Sequence, residues 1–590
     1  MIEPGTTLCD VQINASLDKL VGMFSSPEFA GAEVELWVFD GRERREKARK
    51  ALETEGVIAR VRSAYKPLVH AVLEELDFDG VKEISIRYPV VDGVLENRFL
   101  LETYPVGELV GARPVTFEPS EPVDGSGLIS YQLVLKRGDG SQLFVDVPAP
   151  NLFRPDHVGH GIYTATGWIR VRSPDRPDLD RNEPYRTDQE QAFDAVMTIL
   201  SERNWEGEEP FFDRLNMRVE APFYDRPLPF AHECLSTAEA MHEDLYFSAL
   251  DMFKKARGLD LEDRTLRPGQ LVPQIVPRTG PLRVVIETGS DPYLETDRSV
   301  QPGPLTDLET AGHWLEPGVI KAHVDDLGGD YYEVRSQRGR PVWSTHIAGQ
   351  GPAMVITAGQ HSNETSGPIG ALRAARHMAD KGRTGFAVSP LVNPDGYALF
   401  RELCRNYPDH MNHAARFTAS GCDLQYVERG FENEAHHIGQ EKTGARLHLN
   451  LHGYPAHEWT RPFSGYVPRG AELWTIPKGF FLILLHKPGW KSQGEVILNA
   501  IIEELSGYQP IVDLNREQCG RSRLYTNASP FMIREDIPYT VEEVEDSLFP
   551  VTIITEAPDE MVYGDAFSLL HTAQMKSVLA AADACPSAFS

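Results

Sequence analysis

The chain has 590 residues, too many for one hydrophobic core, and its length predicts about two to four domains. Its 58 Lys and Arg against 87 Asp and Glu give a formal net charge of −29, which argues against binding to nucleic acid or to anionic membranes. The six cysteines are too scattered for a disulfide framework, and neither a signal peptide nor a run of about 18 apolar residues occurs. We therefore expect a cytoplasmic protein with reduced thiols and no membrane or nucleic-acid partner.

The first part of the chain mixes strand and helix patterns. Residues 34–39 are typical of a strand, and residues 131–147 predict a β-hairpin turning at Gly138-Asp139-Gly140. The Pro and Asp cluster at residues 173–178 is typical of a linker. We therefore predict an N-terminal α+β domain over residues 1–173.

The next region, residues 174–305, is predicted to be a second α+β region or a continuation of the first. Residues 188–200 and 236–255 have helical patterns, and the second begins with the capping-box spacing Ser236-Thr237-Ala238-Glu239. His242 and Glu243 lie inside this helix, but no second metal-ligand residue follows His242 four positions later. This favours a solvent-exposed helix face over a metal site. We identify no sequence motif in the first 305 residues that predicts a function.

The turn at residues 358–367 carries His361 and Glu364, a pair with a metal-ligand spacing. An apolar strand, residues 354–358, leads into it and a helical pattern follows, so both side chains lie on a strand-to-helix loop where α/β sheets usually bind ligands. A neutral imidazole and a carboxylate suit Zn²⁺, and a catalytic zinc typically takes three protein ligands and one water. A third ligand is therefore expected elsewhere, and without one the turn would be an ordinary solvated loop.

The candidate third ligand is His452. Residues 447–452 alternate Leu with polar residues, which predicts a half-buried strand that ends at His452-Gly453-Tyr454. His448 and His457 are alternative ligands. His448 lies four residues earlier, roughly 13 Å along a strand, so it cannot share a metal with His452.

A further apolar strand, residues 550–555, delivers Glu556. A carboxylate at the end of a buried strand is costly unless it borders a site or is paired. A zinc hydrolase needs a general base that moves a proton from water to the leaving amine, and Glu556 is our candidate. Its rivals Glu542, Glu543 and Glu545 lie in a polar cluster that predicts a solvated loop.

The ordered set His361-Ser362-Asn363-Glu364, Asn393-Pro394-Asp395-Gly396-Tyr397, His452-Gly453-Tyr454 and Glu556 resembles the zinc carboxypeptidase family, the carboxypeptidase A/B-like metallopeptidases. The resemblance covers residues 306–590. It implies an α/β fold there: a carboxypeptidase-like domain with a mixed β-sheet flanked by helices, after one or two N-terminal α+β domains. It also implies one zinc per chain, held by His361, Glu364 and His452, with Glu556 as general base and acid.

One departure concerns recognition of a substrate carboxylate. Family members usually carry an Asn-Arg pair shortly after an Asp, whereas Asp423 here is followed by Leu424-Gln425-Tyr426. Tyr cannot make the two-pronged charged contact of a guanidinium. Gln425, Tyr426 and Tyr454 are candidates for substrate binding, and the missing Arg predicts little preference for a free C-terminal carboxylate.

Other roles implied by the family are less well placed by the sequence. An Arg that supports the oxyanion should follow the Asn-Pro-Asp-Gly turn. Arg405 is preferred over Arg401 for this role, and Arg401 is also a candidate for substrate binding. Arg416 could supply a positive charge to the site from another direction. Tyr525 and Tyr539 compete for the family's loop tyrosine.

The function predicted is that of a zinc-dependent hydrolase acting on a peptide or small amide. Two alternatives stay open. Aspartoacylase-like enzymes share the ligand pattern, so a zinc-dependent deacylase or amidase of a small N-acylated amino acid is one. The other is a non-catalytic scaffold in which the first half binds a partner. The sequence leaves the oligomeric state open.

Overall fold

The computed structural model of the chain describes residues 2–382, 384–426, 429–467, 474–526 and 531–590. It shows α+β elements in the first half and a large mixed sheet with helices in the second, so the predicted fold class is confirmed. Among the described helices, none is both long and apolar enough to cross a bilayer.

The first half contains several small sheets. Its strands are β1 (Thr7–Ile13), β2 (Glu33–Val38), β3 (Ile58–Ser63), β4 (Val81–Tyr88), β5 (Val115–Pro119), β6 (Ile129–Arg137), β7 (Gln142–Ala149), β8 (Asn151–Pro155), β9 (Gly161–Ala165), β10 (Gly167–Arg172), β11 (Arg181–Tyr185), β12 (Arg214–Ala221), β13 (Asp225–Pro227), β14 (Cys234–Ser236), β15 (Gln270–Pro277) and β16 (Leu282–Gly289). Its helices are α1 (Ser16–Phe24), α2 (Arg42–Thr54), α3 (Pro67–Glu74), α4 (Arg98–Glu102), α5 (Val106–Leu109), α6 (Asp188–Glu202), α7 (Thr237–Ala256) and α8 (Leu294–Asp297).

Strands distant in sequence pair in these sheets. One sheet has the order β1-β16-β12-β15, and another the order β11-β10-β2-β3. β10 and β11 pair across residue 173, where Val171 lies opposite Arg181. The domain boundaries at residues 173 and 305 stay predictions.

The second half is built on one long sheet. Its strands are β17 (Asp330–Arg335), β18 (Pro341–Ile347), β19 (Met354–Ala358), β20 (Phe386–Ser389), β21 (Leu447–Pro455), β22 (Phe481–His486), β23 (Met532–Arg534), β24 (Ile537–Glu543) and β25 (Val551–Glu560). Its helices are α9 (Pro317–Leu327), α10 (Ser366–Lys381), α11 (Pro394–Cys404), α12 (Glu434–Thr443), α13 (Lys491–Ser506), α14 (Gln509–Thr526) and α15 (Gly564–Phe589).

The centre of this sheet positions the candidate site. The strand order is β17-β18-β20-β19-β21-β25-β22-β24-β23, and β19, β21 and β25 are parallel neighbours. These three strands are almost wholly buried, which explains why their sequences are so apolar. Because parallel strands end at the same edge, the residues that follow β19 meet His452 and Glu556, which lie opposite each other in register.

The two halves share a core. The largest cluster of buried apolar side chains takes members from both, and Phe463 packs on Phe39 and Phe193 with ring centroids 5.0 and 5.8 Å apart. The first half therefore packs directly against the half that carries the candidate site.

Candidate metal centre

The turn that follows β19 is held by the Asn-Pro-Asp-Gly segment. The Asn393 backbone N–H donates to Gly359 O at 3.1 Å, and its side-chain amide donates to Gln360 O at 3.1 Å. Ser362 returns a hydrogen bond to Asn393 O at 2.8 Å. Gly359 adopts a φ of 65°, a left-handed conformation that glycine accepts without strain. This network fixes the backbone on which His361 and Glu364 stand.

The structure brings His361, Glu364 and His452 together. The Nδ1 atoms of the two histidines are 3.2 Å apart. Glu364 Oε1 lies 2.7 Å from His361 Nδ1, and Oε2 lies 3.1 Å from His452 Nδ1. One potential ligand atom from each residue lies within 4.8 Å of the others, and all three side chains are buried.

This donor set fits a zinc ion. Two neutral imidazoles cannot both donate across a 3.2 Å contact, so the facing nitrogens need a cation or a proton between them. Nitrogen ligands about 2.0–2.1 Å from a tetrahedral zinc lie about 3.3 Å from each other, close to the separation found here. His361 turns its other nitrogen, Nε2, towards Asp423 Oδ2 at 3.6 Å, which favours the tautomer with a free Nδ1 lone pair.

Charge balance keeps Glu364 ionised. Burial raises the pKa of this carboxyl, but the neighbouring His361 and His452 outweigh burial and hold the pKa below its usual value. Burial also lowers the pKa of His452, so this imidazole is neutral at physiological pH. Glu364 further accepts a hydrogen bond from Gly453 N at 3.0 Å. The three groups thus present lone pairs to a common point.

Glu556 lies on the strand beside His452 and is 8% exposed. Burial, followed by the negative charge of Glu364, raises its pKa well above the usual value, while Arg416 acts in the opposite direction. A carboxyl with a raised pKa is suited to accepting and returning a proton. The rivals Glu542, Glu543 and Glu545 are exposed.

The sequence did not single out Asp559 and Glu560, two further buried carboxyls on β25. Asp559 Oδ2 accepts a hydrogen bond from Ser366 N at 2.7 Å, at the first residue of α10. The negative charges of Asp559 and Glu560 also raise the pKa of Glu556. The pairing of β25 with β21 shifts register between Tyr454 and Pro455, so simple alternation along the strand could not place Glu560.

The structure does not bring Arg401 or Arg405 to the cluster. Arg401 pairs with Asp297 and Glu316 at 3.5 and 2.8 Å, and Arg405 lies over the Tyr293 ring at 4.6 Å. The reason is geometric, since α11 starts at the site and its 11 residues span about 16 Å.

Arg416 faces the cluster. Its Nη1 lies 3.8 Å from Glu364 Oε1, and its charge acts on the pKa of Glu556. This residue was named in the sequence only as a cation arriving from another direction.

Several other candidates have partners elsewhere. His448 is hydrogen-bonded to Thr357 Oγ1 at 2.8 Å, and His457 to Glu239 Oε2 at 2.8 Å. Tyr454 is buried and donates its hydroxyl to Gly479 O at 2.7 Å.

The remaining tyrosine candidates and Gln425 lie in different parts of the molecule. Tyr525 donates to Glu108 Oε2 at 2.7 Å, in the first half of the chain, while Tyr539 lies beside Arg534 on the outer strands. Gln425 and Tyr426 are exposed in the turn after Asp423.

The solvated face predicted for His242-Glu243 is wrong. Both residues are buried, because α7 packs against the second half instead of facing water. Glu243 Oε2 lies 2.6 Å from His413 Nδ1, and His413 Nε2 lies 3.4 Å from Glu560 Oε2. Burial lowers the pKa of His413, but the two carboxylates raise it to about 10. A charged His413 thus links the first half to β25.

Glu239, in the first turn of α7, also contacts the second half of the chain. Ser236 caps the helix by accepting from Glu239 N at 2.9 Å, as the predicted capping spacing requires. The Glu239 side chain does not complete the capping box. It accepts from Met411 N at 2.7 Å and contacts His457 instead.

Residues 330–454 match the family model for zinc carboxypeptidases, Peptidase_M14. This stretch contains the three clustered residues and the Asn-Pro-Asp-Gly turn, while Glu556 lies beyond it. No curated protein matches the chain significantly in sequence.

The chain is also similar to solved carboxypeptidase structures at low identity. A metallo-carboxypeptidase from Burkholderia cenocepacia is 14% identical, with 52% of this chain and 73% of that chain covered and a TM-score of 0.29. A metallo-carboxypeptidase from Pseudomonas aeruginosa is 15% identical, with 52% of this chain and 72% of that chain covered and a TM-score of 0.28. Carboxypeptidase A from Helicoverpa armigera is 12% identical, with 54% of this chain and 91% of that chain covered and a TM-score of 0.30. TM-scores this low are not used as evidence for the fold, which is described by the nine-stranded sheet of the second half. The family match supports a metal-dependent hydrolase, and it confirms for residues 330–454 the resemblance to the zinc carboxypeptidases that the sequence motifs predicted.

Proposed function

We propose that the chain is a zinc-dependent hydrolase that cleaves a peptide or amide bond. The observation that carries this proposal is the convergence of His361, Glu364 and His452 beside the buried carboxyl of Glu556. When bound to these three residues, zinc would polarise a carbonyl and lower the pKa of water.

In this proposal Glu556 holds and moves the proton. Its carboxylate accepts a proton from the attacking water and passes it to the leaving nitrogen. The raised pKa suits the second step, because it makes Glu556 a ready carrier of the proton. The carboxylate form of Glu556, which acts as the base, would be favoured by a divalent cation held on the three ligands, since a nearby positive charge lowers the pKa of a carboxyl.

Arg416 is proposed to face the oxyanion that develops on the substrate carbonyl. Burial lowers the pKa of its guanidinium, but the acidic groups of the site, Glu364 first among them, outweigh burial, raise this pKa and keep the group charged. A fixed cation aimed at developing negative charge is among the strongest contributions to catalysis. This role replaces the one expected for Arg405.

A second candidate function is hydrolysis of a small N-acylated amino acid. The observation in its favour is burial, since His361 and His452 are each 5% exposed and Glu556 is 8% exposed. A site so covered by its own chain favours a small substrate over a folded or bulky one.

One experiment tests both forms of the proposal. Zinc-loaded protein is incubated with a panel of peptides and a panel of N-acyl amino acids, with and without a chelator. We expect hydrolysis in one panel, its loss on chelation and its return with zinc. No hydrolysis in either panel, in protein shown to contain zinc, would contradict the proposal and favour the scaffold alternative. One zinc per chain and a cytoplasmic location stay predictions.

A further inference from the structure

A loop joins β21 to β22 at the edge of the sheet where the candidate metal ligands lie. It covers residues 456–480, follows the strand that carries His452 and lies outside the family-matched segment. Helix α7 of the first half holds the described part of this loop, because Asp244 accepts hydrogen bonds from Phe463 N at 2.8 Å and from Ser464 N at 2.9 Å. The first half therefore fixes the loop that follows a candidate metal ligand.

Aromatic rings from the two halves meet beside this loop. The centroids of Phe247 on α7 and of Trp459 in the loop are 5.1 Å apart. Both rings lie against His413, with centroids 5.7 and 5.0 Å from that of the imidazole. The ring of Phe417 lies 6.5 Å from that of Tyr246, the residue before Phe247. We call Phe247, Phe417 and Trp459 the aromatic wall.

The aromatic wall borders the metal centre. The ring centroid of Phe417 lies 6.3 Å from that of His361. At the other end of the wall, His413 Nε2 lies 3.4 Å from Glu560 Oε2, on the strand that carries Glu556. A substrate held at the metal centre would therefore lie next to these rings.

Two features distinguish the aromatic wall from a packed interior. Phe247 and Phe417 are half-buried, whereas Tyr246 and Ser248, on either side of Phe247, are buried. Trp459 is 8% exposed, yet its indole Nε1 has no hydrogen-bond acceptor among the described residues. Buried donors without an acceptor are rare in folded proteins because they are costly. The wall thus offers partly exposed rings and one unused N–H group to a ligand.

The residue before Phe417 indicates which part of a substrate meets the wall. Phe417 directly follows Arg416, whose guanidinium is proposed to face the oxyanion and whose side chain is 27% exposed. The oxyanion forms on the carbonyl carbon of the acyl portion of the substrate. The acyl portion therefore lies nearest to Arg416 and to the ring beside it.

We propose that the aromatic wall binds an aromatic ring in the acyl portion of the substrate, and that Trp459 Nε1 donates a hydrogen bond to a carbonyl of that portion. The inference rests on the proposed function and narrows its substrate class to peptides, or N-acyl amino acids with a second amide, whose acyl portion is aromatic. Aromatic rings favour edge-to-face and offset contacts with other rings, which an aliphatic group cannot make. The carbonyl supplies an acceptor for the Trp459 indole.

Binding tests the proposal without turnover. Three probes with the same leaving residue, N-acetyl-phenylalanyl-alanine, N-acetyl-alanyl-alanine and 3-phenylpropanoyl-alanine, are titrated by calorimetry into zinc-loaded Glu556→Gln protein. We expect the first probe to bind about ten- to thirtyfold more tightly than the second, which lacks the phenyl ring. It should bind about two- to tenfold more tightly than the third, which lacks the acetamido carbonyl.

Two substitutions separate the ring from the hydrogen bond. Phe247→Ala should reduce the ratio between the first and second probes to about twofold or less, and Phe247→Leu should retain part of it. Trp459→Phe keeps a ring and removes the donor, so it should abolish the ratio between the first and third probes while a preference for the phenyl ring remains. Circular dichroism and zinc content show whether each variant is folded.

Phe153→Ala is the matched control. Phe153 is also an aromatic residue of the first half, is 44% exposed and contacts the ring of Tyr163 at 4.6 Å. The control should keep both ratios. Equal or absent binding of the three probes, ratios that persist in Phe247→Ala and Trp459→Phe, or ratios that fall equally in Phe153→Ala would overturn the proposal. Failure of the proposed function would look different: zinc-loaded wild-type protein would hydrolyse none of the probes while the preference that depends on Phe247 remained.

Discussion

Replacing Glu556 by Gln tests the centre of the proposed mechanism. The change keeps the size of a side chain that is 8% exposed and removes its ability to take a proton. Loss of a general base typically lowers turnover by about 10²–10⁴-fold, or about 2.7–5.4 kcal/mol of barrier at 1.36 kcal/mol per tenfold. Glu556 is not among the three clustered ligand candidates, so zinc should stay bound.

The assay compares turnover and bound zinc in the wild type, in Glu556→Gln and in a control. Glu543→Gln changes an exposed carboxylate at the end of β24 and should leave both quantities unchanged. Turnover of Glu556→Gln within a few fold of the wild type, with full zinc content, would refute the role of Glu556. Loss of zinc in this variant would instead refute the assignment of the ligand set.

Three other outcomes are expected. Metal analysis should show that His452→Ala loses zinc and that His448→Ala retains it. His448 is hydrogen-bonded to Thr357 and is not one of the three clustered residues. Equal zinc content in the two variants would contradict the assignment of His452 as a zinc ligand. Arg416→Ala should lower kcat by about 10²–10³-fold as an oxyanion donor does, and Arg405→Ala should not; the reverse result would restore the expectation from the sequence. Burial raises the pKa of Glu556 above its unfolded value of 4.5, so its contribution to stability is present while it is protonated and fades as pH rises above that value. Urea unfolding of metal-free protein should therefore show the wild type losing stability relative to Glu556→Gln as the pH rises above the unfolded value, and parallel curves would contradict this.

The three central strands of the second half, β19, β21 and β25, could be predicted because they are buried on both faces. The apolar runs of β21 and β25 are long enough to stand out, and each reaches a polar residue, His452 or Glu556, after which the strand continues for a few residues. Parallel strands bring such ends together, so the cluster followed from the order of the motifs. The family match adds to this for residues 330–454, while the individual roles stay predictions.

The contacts made by arginines could not be predicted in the same way. Arg405 is closer in sequence to the Asn-Pro-Asp-Gly turn than Arg416, yet α11 carries it away. Arg264 Nη1 lies 3.6 Å from Asp423 Oδ2 although the two residues are 159 positions apart in the sequence, and the loop that carries Arg264 has no regular pattern. Likewise, His242 and Glu243 have polar side chains typical of a solvated helix, and only the packing of the two halves reveals that they are buried.

The contact of α7 with the second half bears on how such a chain can evolve. A charged His413 lies between Glu243 and Glu560, one carboxylate from each half, and all three are buried. Removing one partner of a buried ionic group leaves an uncompensated charge, which costs about 3–5 kcal/mol. A recombination event that joined the second half to an unrelated leading segment would remove Glu243, the nearer of the two carboxylates, and leave the imidazolium with Glu560 at 3.4 Å. The half that carries the candidate metal centre therefore cannot be exchanged freely between chains, and we expect inheritance to keep both halves together.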